Sequence, residues 1–107
     1  MQDLFSQEPV LERFLNYVTY DTQSKPGAKT SPSSAGQLAL AKHLQQELVA
    51  LGLQDIVLSQ HGVLTAYLPA NVDSNAPTIG FISHLDTSPD CSGKNVQPEV
   101  IENYRGG

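Results

Sequence analysis

His84 and Asp86 stand one residue apart at the end of an apolar run, Thr78 to Ser83 (TIGFIS). In extended backbone, residues two apart emerge on the same side, so an imidazole and a carboxylate would leave the chain together. A neutral imidazole is a good zinc ligand, and a neighbouring carboxylate fixes its ring and raises its basicity. A metal held there would polarise a carbonyl and activate a water. The carboxyl end of a buried strand is also where α/β folds gather their ligands. Alone, such a pair more commonly ends a strand by satisfying backbone groups in a turn. Zinc, moreover, needs three or four ligands.

The other reactive side chains are weaker candidates. His43 falls within a predicted helix, on its expected solvent side, and His61 falls in a predicted turn; neither has a partner at ligand spacing. Cys91 has no histidine at a motif spacing and reads as a loop thiol. Lys94 and Arg105 have the chemistry to meet a peptide carboxylate, but they read as solvated loop charges, as do Asp90, Glu99 and Glu102. Ser92-Gly93-Lys94 lacks the leading glycine of a phosphate loop and no helix follows it.

The elements that must position His84 and Asp86 follow from periodicity. Val10, Leu11, Phe14, Leu15 and Val18 share one face of a helix predicted over 8–20, with Pro9 in its first turn. Tyr17 and Tyr20 are expected to pack at its end. A loop over 21–33 is long enough to imply function or mobility. A second helix is predicted over 34–51: Ser34 and Gln37 fit a capping box, and Leu40, Leu44, Leu48 and Leu51 form the apolar stripe, with Leu38 and Ala41 beside it. Gly52 stands where a left-handed residue would stop that helix. Strands are predicted over 55–60 and 63–68, joined as a hairpin across His61-Gly62, and a turn-rich loop over 69–77 follows. A third strand over 78–83, apolar enough to be buried on both faces, leads into His84. Residues 87–107 read as loop. The order α-α-β-β-β is the opening of an α/β domain that lacks the later helices needed to cover a parallel sheet. Marginal stability for the chain by itself is therefore expected.

Composition excludes several function classes. Among 107 residues the net charge is −5 and the six basic residues are scattered, so neither nucleic acid nor an anionic membrane surface is an expected partner. No apolar run approaches the roughly 18 residues of a membrane span. MQDLFSQEPV has neither the basic nor the apolar region of a secretory signal, and one cysteine permits no internal disulfide. The cytoplasm is the expected location.

The run from Ile79 to Gly107, IGFISHLDTSPDCSGKNVQPEVIENYRGG, resembles the M20 zinc metallopeptidase family, specifically its tripeptide aminopeptidases. LERFLNYVTYDTQS (Leu11 to Ser24), the AGQ of Ala35 to Gln37 and LPANV (Leu68 to Val72) extend the likeness over nearly the whole chain. The most specific stretch is DTSPDCSGKNV, Asp86 to Val96, which deacetylases, desuccinylases and carboxypeptidases of the family do not share. The resemblance implies that His84 is a zinc ligand and that Asp86 orients it and supports catalysis. It implies a two-zinc centre with a bridging carboxylate and a general-base glutamate, whose positions fall beyond Gly107. Residues 1–107 would then form an incomplete N-terminal portion of a catalytic domain, α/β in class, in a homodimer acting on short peptides. The expected function is release of the N-terminal residue from tripeptides by the parent protein. The alternative is a non-catalytic truncated fragment, because one imidazole cannot hold zinc tightly and the general base is missing.

Overall fold

The computed structural model describes residues 9–107. Helix α1 (Pro9–Tyr17) is followed by helix α2 (Ala35–Ala50) and by an antiparallel hairpin of β1 (Gln54–Leu58) and β2 (Leu64–Tyr67). The predicted start of the first helix at residue 8, and most of MQDLFSQEPV, lie outside the described residues.

Helix α1 is shorter than its periodicity suggests. It ends at Tyr17, and Val18 to Tyr20 continue as a turn in which the Thr19 hydroxyl donates to the Asn16 carbonyl at 2.6 Å. That local bond competes with the helical ladder, as β-branched hydroxyl residues tend to do. Val10 and Phe14, assigned to the apolar face, are exposed.

Helix α2 carries the small core, in which Leu40 and Ala41 are buried. Leu44 and Leu48 are half-buried, while Leu51 lies past the helix and is exposed. Its C-terminus closes as the sequence implies. Gly52 adopts φ +79° and donates to the Val49 carbonyl at 3.0 Å, and Leu53 donates to the Leu48 carbonyl at 3.1 Å. These are the paired bonds that satisfy a helix's last carbonyls around a left-handed glycine.

The N-terminus departs from the expected capping box. Ser34 is the N-cap, but its hydroxyl makes no capping bond and is buried without a partner. Gln37 instead accepts from the Ser33 N–H at 3.1 Å and donates from Nε2 to the Thr22 carbonyl at 3.2 Å. The glutamine amide ties the helix start to the preceding loop, a long-range contact that local spacing does not encode.

The hairpin forms where predicted, with shorter strands. Its register pairs Val57 with Thr65 and Leu58 with Leu64, and an irregularity around Asp55 (φ +49°) separates these from the Gln54–Tyr67 pair. The loop is closed by the Ser59 N–H to the Val63 carbonyl at 2.9 Å and the Gly62 N–H to the Ser59 carbonyl at 3.1 Å. Gly62 sits at φ +78°, where glycine carries no steric penalty. Ile56, Leu58 and Leu64 turn inward, and α2 packs on both strands.

The third predicted strand does not form. Residues 78–83 have no ladder partner, and Ile79, Phe81 and Ile82 are 74%, 95% and 101% exposed. A strand exists through its hydrogen-bonded neighbours, and among the described residues none lies alongside. The observed order is α-α-β-β, compatible with an α/β fragment. The Cα radius of gyration is 17.0 Å, against about 13 Å for a compact domain of this length.

Candidate functional site

The site is assembled from two segments far apart in sequence, 21–24 and 84–93, and α2 supplies its base. At Gly36 a Cβ would come within 1.7 Å of the Asp21 carbonyl oxygen, so only glycine lets residues 21–22 lie against the first turn of α2. Thr22 is buried there, and its carbonyl takes two bonds, from Gln37 Nε2 at 3.2 Å and from the Thr87 N–H at 3.2 Å.

Loop 21–24 then clamps the second segment. Gln23 and Thr87 form an isolated parallel bridge, completed by the Ser24 N–H to the Thr87 carbonyl at 2.9 Å. Gln23 Nε2 donates to the Pro89 carbonyl at 2.9 Å. Asp21 Oδ1 lies where a Cβ at Gly93 would approach to 2.5 Å, so a side chain at 93 would require the Asp21 carboxylate to swing aside.

His84 and Asp86 are brought together, as their spacing implies. His84 Nδ1 lies 2.9 Å from Asp86 Oδ1, and the Ser24 hydroxyl donates to Asp86 Oδ2 at 2.6 Å. An ionised carboxylate only accepts, so the neutral imidazole carries its proton on Nδ1 and leaves the Nε2 lone pair free. The bond from Ser24, with a smaller contribution from His84, holds the Asp86 carboxyl below the usual carboxylate range. The imidazole is 83% exposed and the carboxylate 50%, so the free nitrogen faces open space.

The donor chemistry fits one position in a metal's ligand shell: an imidazole of fixed tautomer, with an orienting carboxylate behind it. Among the described residues no group of three or more His, Cys, Asp or Glu side chains could hold a metal ion. The pair has the donor chemistry of a single ligand position and no more.

None of the remaining candidates bonds to the His84–Asp86 pair. His61 is exposed in the hairpin turn and Cys91 is a free exposed thiol. Asp90 accepts from the Ser88 hydroxyl at 2.8 Å, and Glu99 and Glu102 are exposed, as are Lys94 and Arg105. His43 does not point to solvent. It packs against Tyr17 and Tyr20, with ring centroids 6.2 and 5.6 Å away, and its Nε2 meets Asn16 Nδ2 at 2.8 Å. The tyrosines draw it inward because α1 and α2 join through polar and aromatic side chains. In that junction the Tyr17 hydroxyl donates to Glu47 and Arg13 Nε lies 3.9 Å from the same carboxylate. Burial first, and then the Glu47 carboxylate, push the Tyr17 phenol up to about 12.

From the sequence, Gln23, Ser24 and Gly36 carry no site role, and Gln37 carries only that of a helix cap. They lie in the TQS and AGQ stretches, where a polar triplet after a helix and a glycine at a helix start were the available signals.

No family model matches the chain. Curated relatives do. Over 98 residues, 92% of this chain, it is 76% identical to peptidase T of Pasteurella multocida and 62% identical to peptidase T of Edwardsiella ictaluri. Peptidase T of Haemophilus influenzae matches to the same extent at 62%. Each alignment covers 24% of the relative's length. At this identity over nearly all of its own length, the chain is homologous to peptidase T and spans about a quarter of the length of the curated relatives it matches.

Proposed function

We propose that this chain provides one metal ligand and its support to a zinc aminopeptidase that releases the N-terminal residue of tripeptides. The observation that carries the reading is the His84 Nδ1–Asp86 Oδ1 contact of 2.9 Å, which presents Nε2 outward in a chain closely related to peptidase T. His84 would hold zinc through Nε2. Asp86 would keep the ring in the ligating tautomer and offset the positive charge that builds on it. Two zinc ions, when bound, would supply Lewis-acid polarisation of the scissile carbonyl and a water acidic enough to attack it. The same reading takes short peptides as substrates, a homodimer as the assembly and the cytoplasm as the location. Support for the location comes from the single free cysteine, as a reducing compartment would keep it.

A chimera tests the proposal. The 107-residue chain would replace its counterpart in Pasteurella multocida peptidase T, and zinc content and tripeptide hydrolysis would be measured. The chimera should hydrolyse tripeptides, and His84→Ala should lose both bound zinc and activity. Retention of both by His84→Ala would overturn the assignment.

A second reading concerns the chain alone. Its described residues gather no group of three ligands, and a single imidazole holds zinc weakly, which favours a non-catalytic fragment. Calorimetric titration of the isolated chain should show weak binding and the chain should cleave no tripeptide. Tight binding that disappears in His84→Ala would contradict it.

A further inference from the structure

We infer that Ser24 is a positioning residue for the metal ligand: its hydroxyl fixes the Asp86 carboxylate, which in turn fixes the tautomer and plane of His84. This rests on the proposed role of His84 as a ligand. The terminal torsion of an aspartate is broad and roughly two-fold, so one hydrogen bond leaves its carboxylate free to swing. Here each oxygen has its own partner, Oδ1 with His84 at 2.9 Å and Oδ2 with Ser24 at 2.6 Å, and the plane is set.

Ser24 can do this because its own backbone is anchored. Its N–H is bonded to the Thr87 carbonyl, and the neighbouring Thr22 carbonyl is held by Gln37 Nε2 from α2. Hydroxyl and carboxylate are 62 residues apart in sequence, so the pairing is a product of the fold. Nor is the side chain needed to join the segments, since the backbone bridge already does so. Asp86 is half-exposed, so water would replace a lost hydroxyl at Oδ2. What disappears is orientation.

The test uses the peptidase T chimera with Ser24→Ala, Ser24→Thr and His84→Ala. Nitrogen NMR of labelled histidine in the metal-free protein reads the His84 tautomer. Competition with a chromophoric chelator reads Zn2+ affinity, and steady-state kinetics read kcat and KM separately. Removing partners of a ligating histidine typically costs about 10–100-fold in metal affinity or activity, and Ser24, one bond further out, should cost roughly 3–10-fold. Ser24→Ala should lower the Nδ1–H fraction of His84, weaken Zn2+ binding and reduce kcat with KM unchanged, and Ser24→Thr should restore all three. An unchanged tautomer and unchanged Zn2+ affinity in Ser24→Ala would overturn the inference. So would a loss that Ser24→Thr fails to restore, which would make Ser24 merely structural. If His84→Ala itself leaves zinc in place, the ligand assignment fails instead, while the metal-free tautomer measurement still decides whether Ser24 orders the pair.

Discussion

Two apolar stretches of this chain meet opposite fates. Residues 54–67 fold into a hairpin covered by α2, although Val57 and Tyr67 remain exposed. Residues 78–83 carry no charged or amide side chain, yet they stand unpaired with Phe81 and Ile82 almost fully exposed. The difference lies in access to a partner. The hairpin carries both strands and their turn within fourteen residues, and α2 arrives directly before them. The 78–83 stretch needs neighbours that the described residues do not supply. Apolar composition makes a segment able to be a strand, and pairing makes it one.

Damage should therefore follow partnership rather than hydrophobicity. The largest loss is expected at the junction that holds the 84–87 segment to the packed half. Gly36→Ala would drive a methyl into the Asp21 carbonyl, a backbone atom that cannot rotate away, and should cost about 3 kcal/mol, at the upper end for overpacking. Chemical denaturation would check this; a loss below about 0.5 kcal/mol, the level of ordinary surface changes, would show that loop 21–24 is not held as described. Next comes the hairpin turn. Gly62→Val would force a β-branched residue to φ +78° beside Pro32, whose Cγ lies 3.2 Å from the new Cβ, at about 1–3 kcal/mol. A neutral result would mean that the turn does not set the pairing.

A smaller effect is expected at the helix junction, and it depends on pH. The Tyr17 phenol rises from 10.0 to about 12 on folding, so below pH 10 both states keep the proton and the contribution is complete. As pH climbs from 10 through 12 the unfolded state ionises first, binds fewer protons than the folded state, and stability falls. Tyr17→Phe should flatten that alkaline slope, read as melting temperature against pH. An unchanged slope would assign it to other groups. The smallest effect is expected at the most hydrophobic site of all. Phe81→Ser, at a side chain 95% exposed, should change the stability of the isolated chain by less than about 0.5 kcal/mol. A loss of several kcal/mol would reveal burial of 78–83 and erase the contrast with the hairpin.

Much of the local architecture was legible in advance. The α2 stripe through Leu40, the Gly52 stop and the His61-Gly62 turn are short-range features, each decided by residues within one or two turns of one another. The hairpin ends and the end of α1 shifted by a few residues, as frayed termini do. The 78–83 strand and the solvent-facing His43 were misread for one reason: each depends on what lies opposite. For His43 that is Tyr17 and Tyr20, and for 78–83 it is nothing among the described residues.

The sequence by itself determined the two helices, the hairpin and the presence of His84 and Asp86 on one side of the backbone, because periodicity and turn chemistry act locally. Only the tertiary structure decided that Gly36 and Gln37 hold loop 21–24, that this loop grips Thr87, and that Ser24 meets Asp86. Those contacts join residues tens of positions apart, and a hydrogen bond between them depends on distances in space that no local pattern records.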